Sequence, residues 1–386
     1  MLHLNQAVPL FHSRWWSSIV LFCLATAGGS AQLGDLVTTY DGSVLYFSST
    51  RRLTEAAQYS NRKIYRFADG SIELVAQVIP NVRLSDGSDF HFHFRMPGVS
   101  DAGDVVTFDG TASCWGGPSC NGAFTARGFV SGALLPTWMT SYGSLRVSPN
   151  GRYFLRFGGI ENPGTPMLFD RETSNFSFLL NCGAPAQSCG VPGEGQQALA
   201  DDGTVVTFLG LWREGVLTST PRPLGLAEAR LSGDGSTIVY TATTMLSCLG
   251  GALIKVGRYY QTLYVWDPRT GVEMELERSP ELVSFEPDVA CRGRTTFFHP
   301  SLSRDGRTVL FRSGGPCEPP QAVIVGTDGS RRRVLTTESA GIGEVVLSGD
   351  SQRAYAATRT VDFLRSMSNR VRSVRCWPEA YRDEGH

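Results

Sequence analysis

The chain has 386 residues, of which 41% are hydrophobic and 18% charged, with a formal net charge of -1. It is apolar enough to fill a large core, and its near-neutral balance excludes the basic face that a nucleic-acid partner needs. Lysine is almost absent, so arginine carries nearly all the positive charge.

Residues 1–31 carry Arg14, an apolar run from Trp15 to Ala27, and small residues ending Gly29-Ser30-Ala31 ahead of Gln32. This matches the charged, apolar and small-residue parts of a secretory signal peptide, and the apolar run is short for a bilayer span. The expectation is an exported protein, periplasmic or extracellular, with no membrane span in the mature chain.

From residue 32 to 360 one unit recurs: a short apolar strand, a polar turn and a β-branched or aromatic strand. The clearest copy is LSGDGSTIVYTATT from Leu231, and others start at Leu36, Gly98, Leu145, Gln197, Pro300 and Val345. The turn positions are Asp41, Asp101, Asn150, Asp202, Asp234, Asp305 and Asp350. Asp-Gly and Asn-Gly supply the positive φ angles of a two-residue hairpin turn, so each copy is predicted to be a β-hairpin. A lone hairpin is unstable in water, so the copies must pack on one another. A second hairpin pattern recurs between them, as in KIYRFADGSIELVAQ from Lys63 and TLYVWDPRTGVEMELE from Thr262. Two hairpins per period give the four antiparallel strands of a propeller blade. The expected fold is therefore an all-β propeller of four-stranded blades, seven in number with the seventh incomplete, and six as the fallback.

Taken in order, the first blade is regular. It is followed by SDGSDFHFHFR, in which His91 and His93 alternate with phenylalanines and share one face of a strand. They are the only metal-ligand candidates of note. A site would need a third ligand, and the mature chain offers just His299 and His386 besides acidic residues and cysteines. The expectation is no metal and no cofactor.

Blade 2 contains Cys114 and Cys120 across a Gly-Gly-Pro turn, and blade 3 ends with Cys182 and Cys189 in a tight loop. Behind an export signal such pairs read as disulfides. Without Cys23, eight cysteines remain. Cys291 is a candidate partner for Cys317 or Cys248, with Cys376 also left over. Blade 4 has an abbreviated second hairpin. Blade 6 carries Arg331-Arg332-Arg333, expected as a solvated turn and edge strand.

After Thr360 the second hairpin of blade 7 is missing, and residues 361–386 form an irregular tail. Two accounts stay open, an irregular closing blade or a frameshift near Thr360 that truncates a longer protein, with the second favoured.

The pairing of "LSxDGxxxxF" with "LYVxDxxTG" resembles the WD40-like repeats of TolB-type β-propellers, found in exported bacterial proteins and in prolyl-oligopeptidase-like peptidases. The resemblance covers nearly all of Leu36 to Thr360. It implies fold and little about activity. No G-x-S-x-G elbow, P-loop, dinucleotide fingerprint or H-E-x-x-H is present. The resulting expectation is a non-catalytic, monomeric binding or scaffold module for a protein, peptide or glycan, with no catalytic residue assigned. The alternatives are a hydrolase or lyase with a channel-mouth site built on His91, His93, His299 and acidic neighbours, or the N-terminal propeller of a larger protein.

Overall fold

A computed structural model describes residues 20–24, 33–57, 62–76, 82–83, 89–115, 127–131, 144–157, 166–179, 198–207, 210–219, 221, 228–250, 255–286, 298–313, 321–335 and 341–359. Every regular element among them is a strand or a short turn, and no helix among them is long and apolar enough to cross a membrane.

The strands form seven small sheets. Strand β1 (Val20–Leu24) comes first in the chain. Sheet 1 is a meander of β2 (Leu33–Thr38), β3 (Val44–Ser49), β4 (Lys63–Ala68) and β5 (Ser71–Ala76). Sheet 2 has β6 (Val82–Arg83), β7 (Asp89–Val99), β8 (Val106–Trp115) and β9 (Arg127–Ser131). Sheet 3 has β10 (Ser144–Val147), β11 (Tyr153–Phe157), β12 (Met167–Asp170) and β13 (Asn175–Phe178). Sheet 4 stops at three: β14 (Val205–Thr207), β15 (Gly210–Arg213) and β16 (Val216–Ser219). Sheet 5 has β17 (Ala229–Leu231), the long pair β18 (Ile238–Gly250) and β19 (Lys255–Trp266), then β20 (Glu273–Arg278) and β21 (Leu282–Glu286). Sheet 6 has β22 (Ser301–Leu302), β23 (Thr308–Ser313), β24 (Gln321–Gly326) and β25 (Arg333–Val334). Sheet 7 pairs β26 (Gly341–Leu347) with β27 (Arg353–Arg359), and β1 lies parallel to β27 from Val20 opposite Arg353 to Leu24 opposite Ala357.

The expected count of seven blades with the seventh incomplete, or six, is therefore corrected: among the described residues five sheets reach the four strands of a blade, and sheets 4 and 7 have three each. In sheet 4 the strand before the turn is reduced to a single bridge, Leu199 opposite Val205, so β14, β15 and β16 are the second to fourth strands of the repeat. In sheet 7 the third place is taken by β1, from the segment expected to be a leader. The expected tail 361–386, and with it the truncation reading, lies outside the described residues.

Seven apolar clusters close the ring, each formed between two neighbouring sheets. Leu36, Phe47 and Tyr65 of sheet 1 pack on Val346 and Tyr355 of sheet 7, and Val37, Tyr46 and Ile64 pack on Val99 and Val106 of sheet 2. Val105 joins Leu145 and Phe154 between sheets 2 and 3, and Leu155 joins Val205 and Trp212 between sheets 3 and 4. The remaining clusters link sheets 4 to 5, 5 to 6 and 6 to 7. The first strand of each sheet alternates so that both faces are covered by neighbours, which leaves its edge for the central channel.

The repeated turns differ from the expected two-residue form. Only the residue after the turn's aspartate is left-handed, with φ of +64° at Gly42, +68° at Gly235 and +63° at Ser351. The Gly42 N–H donates to the Thr39 carbonyl and the Thr39 N–H to the Val44 carbonyl, a type I turn closed by a glycine bulge. The aspartate caps this loop: Asp41 Oδ1 accepts from the Thr39 hydroxyl and the Ser43 N–H, both at 2.9 Å. Asn150, Asp234, Asp305 and Asp350 repeat the pattern. Asp202 keeps the backbone half, since Ala200 stands where the hydroxyl would be. Asp101 breaks it. It stands one place earlier in the turn, and the Ser100 hydroxyl donates instead to Asp104. The two-residue form appears in second hairpins, where Asp69 and Gly70 have φ of +50° and +75°.

Candidate functional site at the channel

The turns meet at one end of the channel and close it. Tyr40 N–H donates to the Asp101 carbonyl (3.1 Å), and Asp101 N–H to that of Pro149 (2.6 Å). Asp201 N–H continues to Gly233 (2.8 Å), Gly233 to Arg304 (2.8 Å), Arg304 to Gly349 (3.0 Å), and Asp350 back to Tyr40 (3.0 Å). Pro149 has no N–H to pass on. The gap is bridged by Asn150, whose backbone N–H and side-chain amide donate to Asp201 Oδ1 (2.8 Å) and the Asp201 carbonyl (2.9 Å). Within this ring the Arg304 guanidinium reaches the carboxylates of Asp101 and Asp201, on sheets across the channel, and stands 5.9 Å from the Tyr40 ring centroid. The turn end is thus plugged by an ion-paired arginine.

The other functional layers sit further along the first strands. Counting back from the turn hydroxyl position, the residue four places earlier is Asp35 in sheet 1, Glu228 in sheet 5, His299 in sheet 6 and Glu344 in sheet 7. These four sheets are consecutive in the ring. At the strand rise this layer stands about 13 Å from the closed end. Bulges put it there. The pairing slips between Gly34 and Val37 in β2 and between Ile342 and Val345 in β26, and Asp35 and His299 have φ of +57° and +45°. A bulge turns one side chain out of the inter-sheet core.

The groups converge. His299 Nδ1 lies 2.7 Å from Glu228 Oε1, and the Leu36 N–H donates to Glu344 Oε2 at 3.1 Å. Asp35 Oδ2 accepts from the Ser48 hydroxyl at 2.5 Å and faces Arg62 at 3.5 Å. Burial, aided by the Asp35 and Glu228 charges, pushes the Glu344 carboxyl up to about 7, while His299 and the Leu36 N–H act in the opposite sense. Glu228 is 6% exposed and its Oε2 has no hydrogen-bond partner among the described residues.

Between this layer and the plug, two places before the turn hydroxyl, stand Arg146 in sheet 3 and Arg230 in sheet 5. Each donates Nη1 to the carbonyl of the residue before it, Leu145 and Ala229, at 3.0 Å. Burial lowers the pKa of the Arg230 guanidinium and the Arg146 charge adds to that, whereas Glu228 and Glu344 oppose it.

Of the residues singled out from sequence, His299 joins this cluster. His91 and His93 lie in β7, opposite Ser113 and Thr111, nine and seven residues before Ser100; their side chains fall outside the described residues. No group of three or more metal-ligating side chains is arranged around a metal position among the described residues. The turn positions belong to the closed end, not to the cluster. Arg332 reaches Glu277 of the neighbouring sheet (3.2 Å), and Arg331 and Arg333 are exposed beside it. Cys114 is in β8 with its side chain outside the described residues, as are Cys120, Cys182, Cys189, Cys291 and Cys317 altogether. Asp35, Glu228, Glu344, Arg146 and Arg230 were not singled out. Aligning the seven copies on the turn and inspecting the columns two and four places before it would have found them.

The ring of small antiparallel sheets around a channel defines a β-propeller. No family model and no curated protein matches the chain. Among solved structures it is similar to TolB from Acinetobacter baumannii, at 15% identity and a TM-score of 0.38 over 84% of this chain. The match spans 57% of that protein's length. It is also similar to a putative TolB from Agrobacterium tumefaciens (13% identity, 85% of this chain and 90% of that one, TM-score 0.38). A third is an oligogalacturonate lyase from Vibrio parahaemolyticus (15% identity, 82% and 79%, TM-score 0.36). Both the fold and the site stand on the geometry of this chain.

Proposed function

We propose that the chain is an exported, monomeric β-propeller that binds a protein, peptide or glycan through the open end of its channel, without catalysing a reaction. The observation that carries this reading is the asymmetry of the channel. One end is sealed by Arg304 and a hydrogen-bonded ring of turns, and the other gathers charged side chains from sheets 1, 3, 5, 6 and 7. Rigid strands present these groups, as a preformed binding site requires. Export rests on residues 1–31, and the eight cysteines after Cys23 would then pair as disulfides, Cys114 with Cys120 and Cys182 with Cys189 among them.

The test is photocrosslinking in the native host from a reactive residue placed at position 62, beside Asp35, and from one at position 307 on the closed end. The reading expects specific adducts from position 62 alone and a mature N-terminus at Gln32. Adducts from both positions alike, or from position 307 alone, would overturn it.

A second reading is favoured by one observation: Glu344 holds its proton near neutral pH beside the His299–Glu228 pair, as an acid–base enzyme requires. Substrate turnover lost in His299→Ala, with the fold intact, would establish that reading over the first.

A further inference from the structure

We propose that the outer edge of sheet 7 is a docking site for an extended apolar segment of a partner protein, which adds as a strand parallel to β27. This surface lies outside the channel and rests, of the reading above, only on removal of the leader at Gln32.

The structure shows what the edge accepts. Strand β27 has β26 on one side and β1 on the other, and no further strand among the described residues reaches it. The five residues of β1, VLFCL, pair with it in parallel register from Val20 opposite Arg353 to Leu24 opposite Ala357. Since β1 belongs to the apolar run of the leader, processing strips this strand and leaves sheet 7 as the hairpin β26–β27. A bare edge presents a row of main-chain donors and acceptors, which natural sheets guard with charges, prolines or bulges. Residues 354–358 of β27, Ala-Tyr-Ala-Ala-Thr, contain neither charge nor proline. The Arg353 guanidinium beside them is turned back onto the Gly42 carbonyl at 3.0 Å, and the bulge of the hairpin is in β26, on the far side.

The neighbouring sheets set the chemistry of the incoming strand. Tyr355 and Ala357 belong to the apolar cluster with sheet 1, and Ala354 and Ala356 to the cluster with sheet 6, so β27 is covered on both faces. The margins of these clusters are apolar and half-buried, with Leu53, Ile72 and Leu74 on the sheet 1 side and Leu335 on the sheet 6 side. A strand laid beside β27 continues into the same gap between sheets. Enclosed on both faces, it requires a continuous apolar run and not an alternating one, as buried parallel strands do. β1 is such a run. The partner segment therefore has the length and unbroken apolar character of β1, with affinity from the main-chain ladder and selectivity from its side chains.

The experiment uses the processed chain purified from its host, with its intact mass giving the N-terminus. The probe is a fluorescent peptide of residues 18–26 with Cys23→Ser and added terminal lysines for solubility, followed by anisotropy and by amide hydrogen exchange. The peptide should bind and slow exchange in Arg353–Arg359. Two backbone-methylated versions separate strand addition from non-specific apolar adsorption, one methylated at positions 20, 22 and 24 and the other at 21 and 23. Alternate N–H groups of a strand face one neighbour. One version should therefore lose affinity roughly tenfold or more while the other keeps it. Leu21→Asn and Phe22→Asn peptides, which alter opposite faces, should both bind more weakly. No binding, equal behaviour of the two methylated versions, or tolerance of either asparagine would overturn the proposal. Exchange in β27 that is already slow before the peptide is added would also overturn it; a monomer would then assign the edge to residues 361–386, and a dimer to a second copy. A purified chain that still carries residues 20–24 would remove the leader reading and the vacancy together, whereas a chain beginning at Gln32 that ignores the peptide would remove the docking site alone.

Discussion

Glu344→Gln isolates the electrostatics of the channel cluster. The side chain keeps its shape, and a glutamine carbonyl oxygen can still accept from the Leu36 N–H. What is lost is a titratable group whose pKa rises from 4.5 to about 7, first because it is buried and then because Asp35 and Glu228 stand near it. The folded state therefore holds this proton more tightly than the unfolded chain. The penalty is absent below the unfolded value, grows as pH rises, and is complete above the folded value. At roughly 1.4 kcal/mol per pH unit, the interval from 4.5 to about 7 amounts to about 3 kcal/mol. Glutamine carries no such penalty.

The assay is urea unfolding of both proteins at a series of pH values from 4.5 to 8.5, and the quantity of interest is the difference between them, since other groups titrate alike in both. The stability of the variant relative to the natural chain should rise by about 3 kcal/mol between pH 4.5 and pH 8.5. A difference that stays flat within roughly 0.5 kcal/mol, the scatter expected of such comparisons, would refute the convergence of carboxylates at this site. Asp35→Asn and Glu228→Gln supply an internal check. Each removes a charge that raises Glu344, so the pH window of the rise should move down in either background.

Three further outcomes are expected. Arg304→Ala leaves Asp101 and Asp201 facing each other at the closed end without their cation, and should cost about 2 kcal/mol in thermal or urea unfolding, the groups being partly buried; an unchanged midpoint would mean the plug is not formed. Gly42→Ala should destabilise more than Gly70→Ala, because both have positive φ but a Cβ at Gly42 would meet Arg353 and Ser348 Cβ atoms at 2.9 Å while Gly70 has nothing within 4 Å. The second substitution should cost about 1 kcal/mol from backbone strain alone, so equal losses would contradict the close approach of sheets 1 and 7. Asp170 is held at about 2 chiefly by its hydrogen bond from Arg152, so its contribution is present above the unfolded value of 3.8 and fades as pH falls toward 2. In Arg152→Ala, NMR titration should find Asp170 returned toward 3.8, and a titration unmoved from the natural one would disprove the pairing.

The repeat made the scaffold legible, because the turn demands particular residues. A glycine is needed where φ is positive, an aspartate where two donors must be capped, and a hydroxyl two places earlier. These requirements recur in nearly every copy and stand out without any comparison. The number of strands per sheet was harder to foresee, since it depends on how the chain continues beyond the second strand. A first strand reduced to the Leu199–Val205 bridge and a single hairpin at β26–β27 left two sheets short, and β1 fills in by parallel pairing that no local pattern announces. The turn type was misjudged for a similar reason: Asp-Gly serves both the two-residue turn at Asp69-Gly70 and the bulged turn at Asp41-Gly42, and the dipeptide alone does not distinguish them. His299 was visible as a rare residue type, but its partners were not, because they come from other repeats 71 and 45 residues away.

The two columns of the repeat obey opposite rules for one physical reason. At the turn, most copies satisfy the same backbone donors at the same left-handed angle, which favours the same few side chains there. Four places earlier, bulges in β2 and β26 turn Asp35 and Glu344 out of the core between sheets, where packing no longer constrains the residue type. The column accordingly reads Asp35, Met96, Ser144, Gln196, Glu228, His299 and Glu344, with no common chemistry. Uniformity marks what the ring needs in order to close, and variety marks where the ring is free to be functional. In a chain compared only with itself, the site is therefore to be sought in the column that varies, on the arc where the variants carry charge.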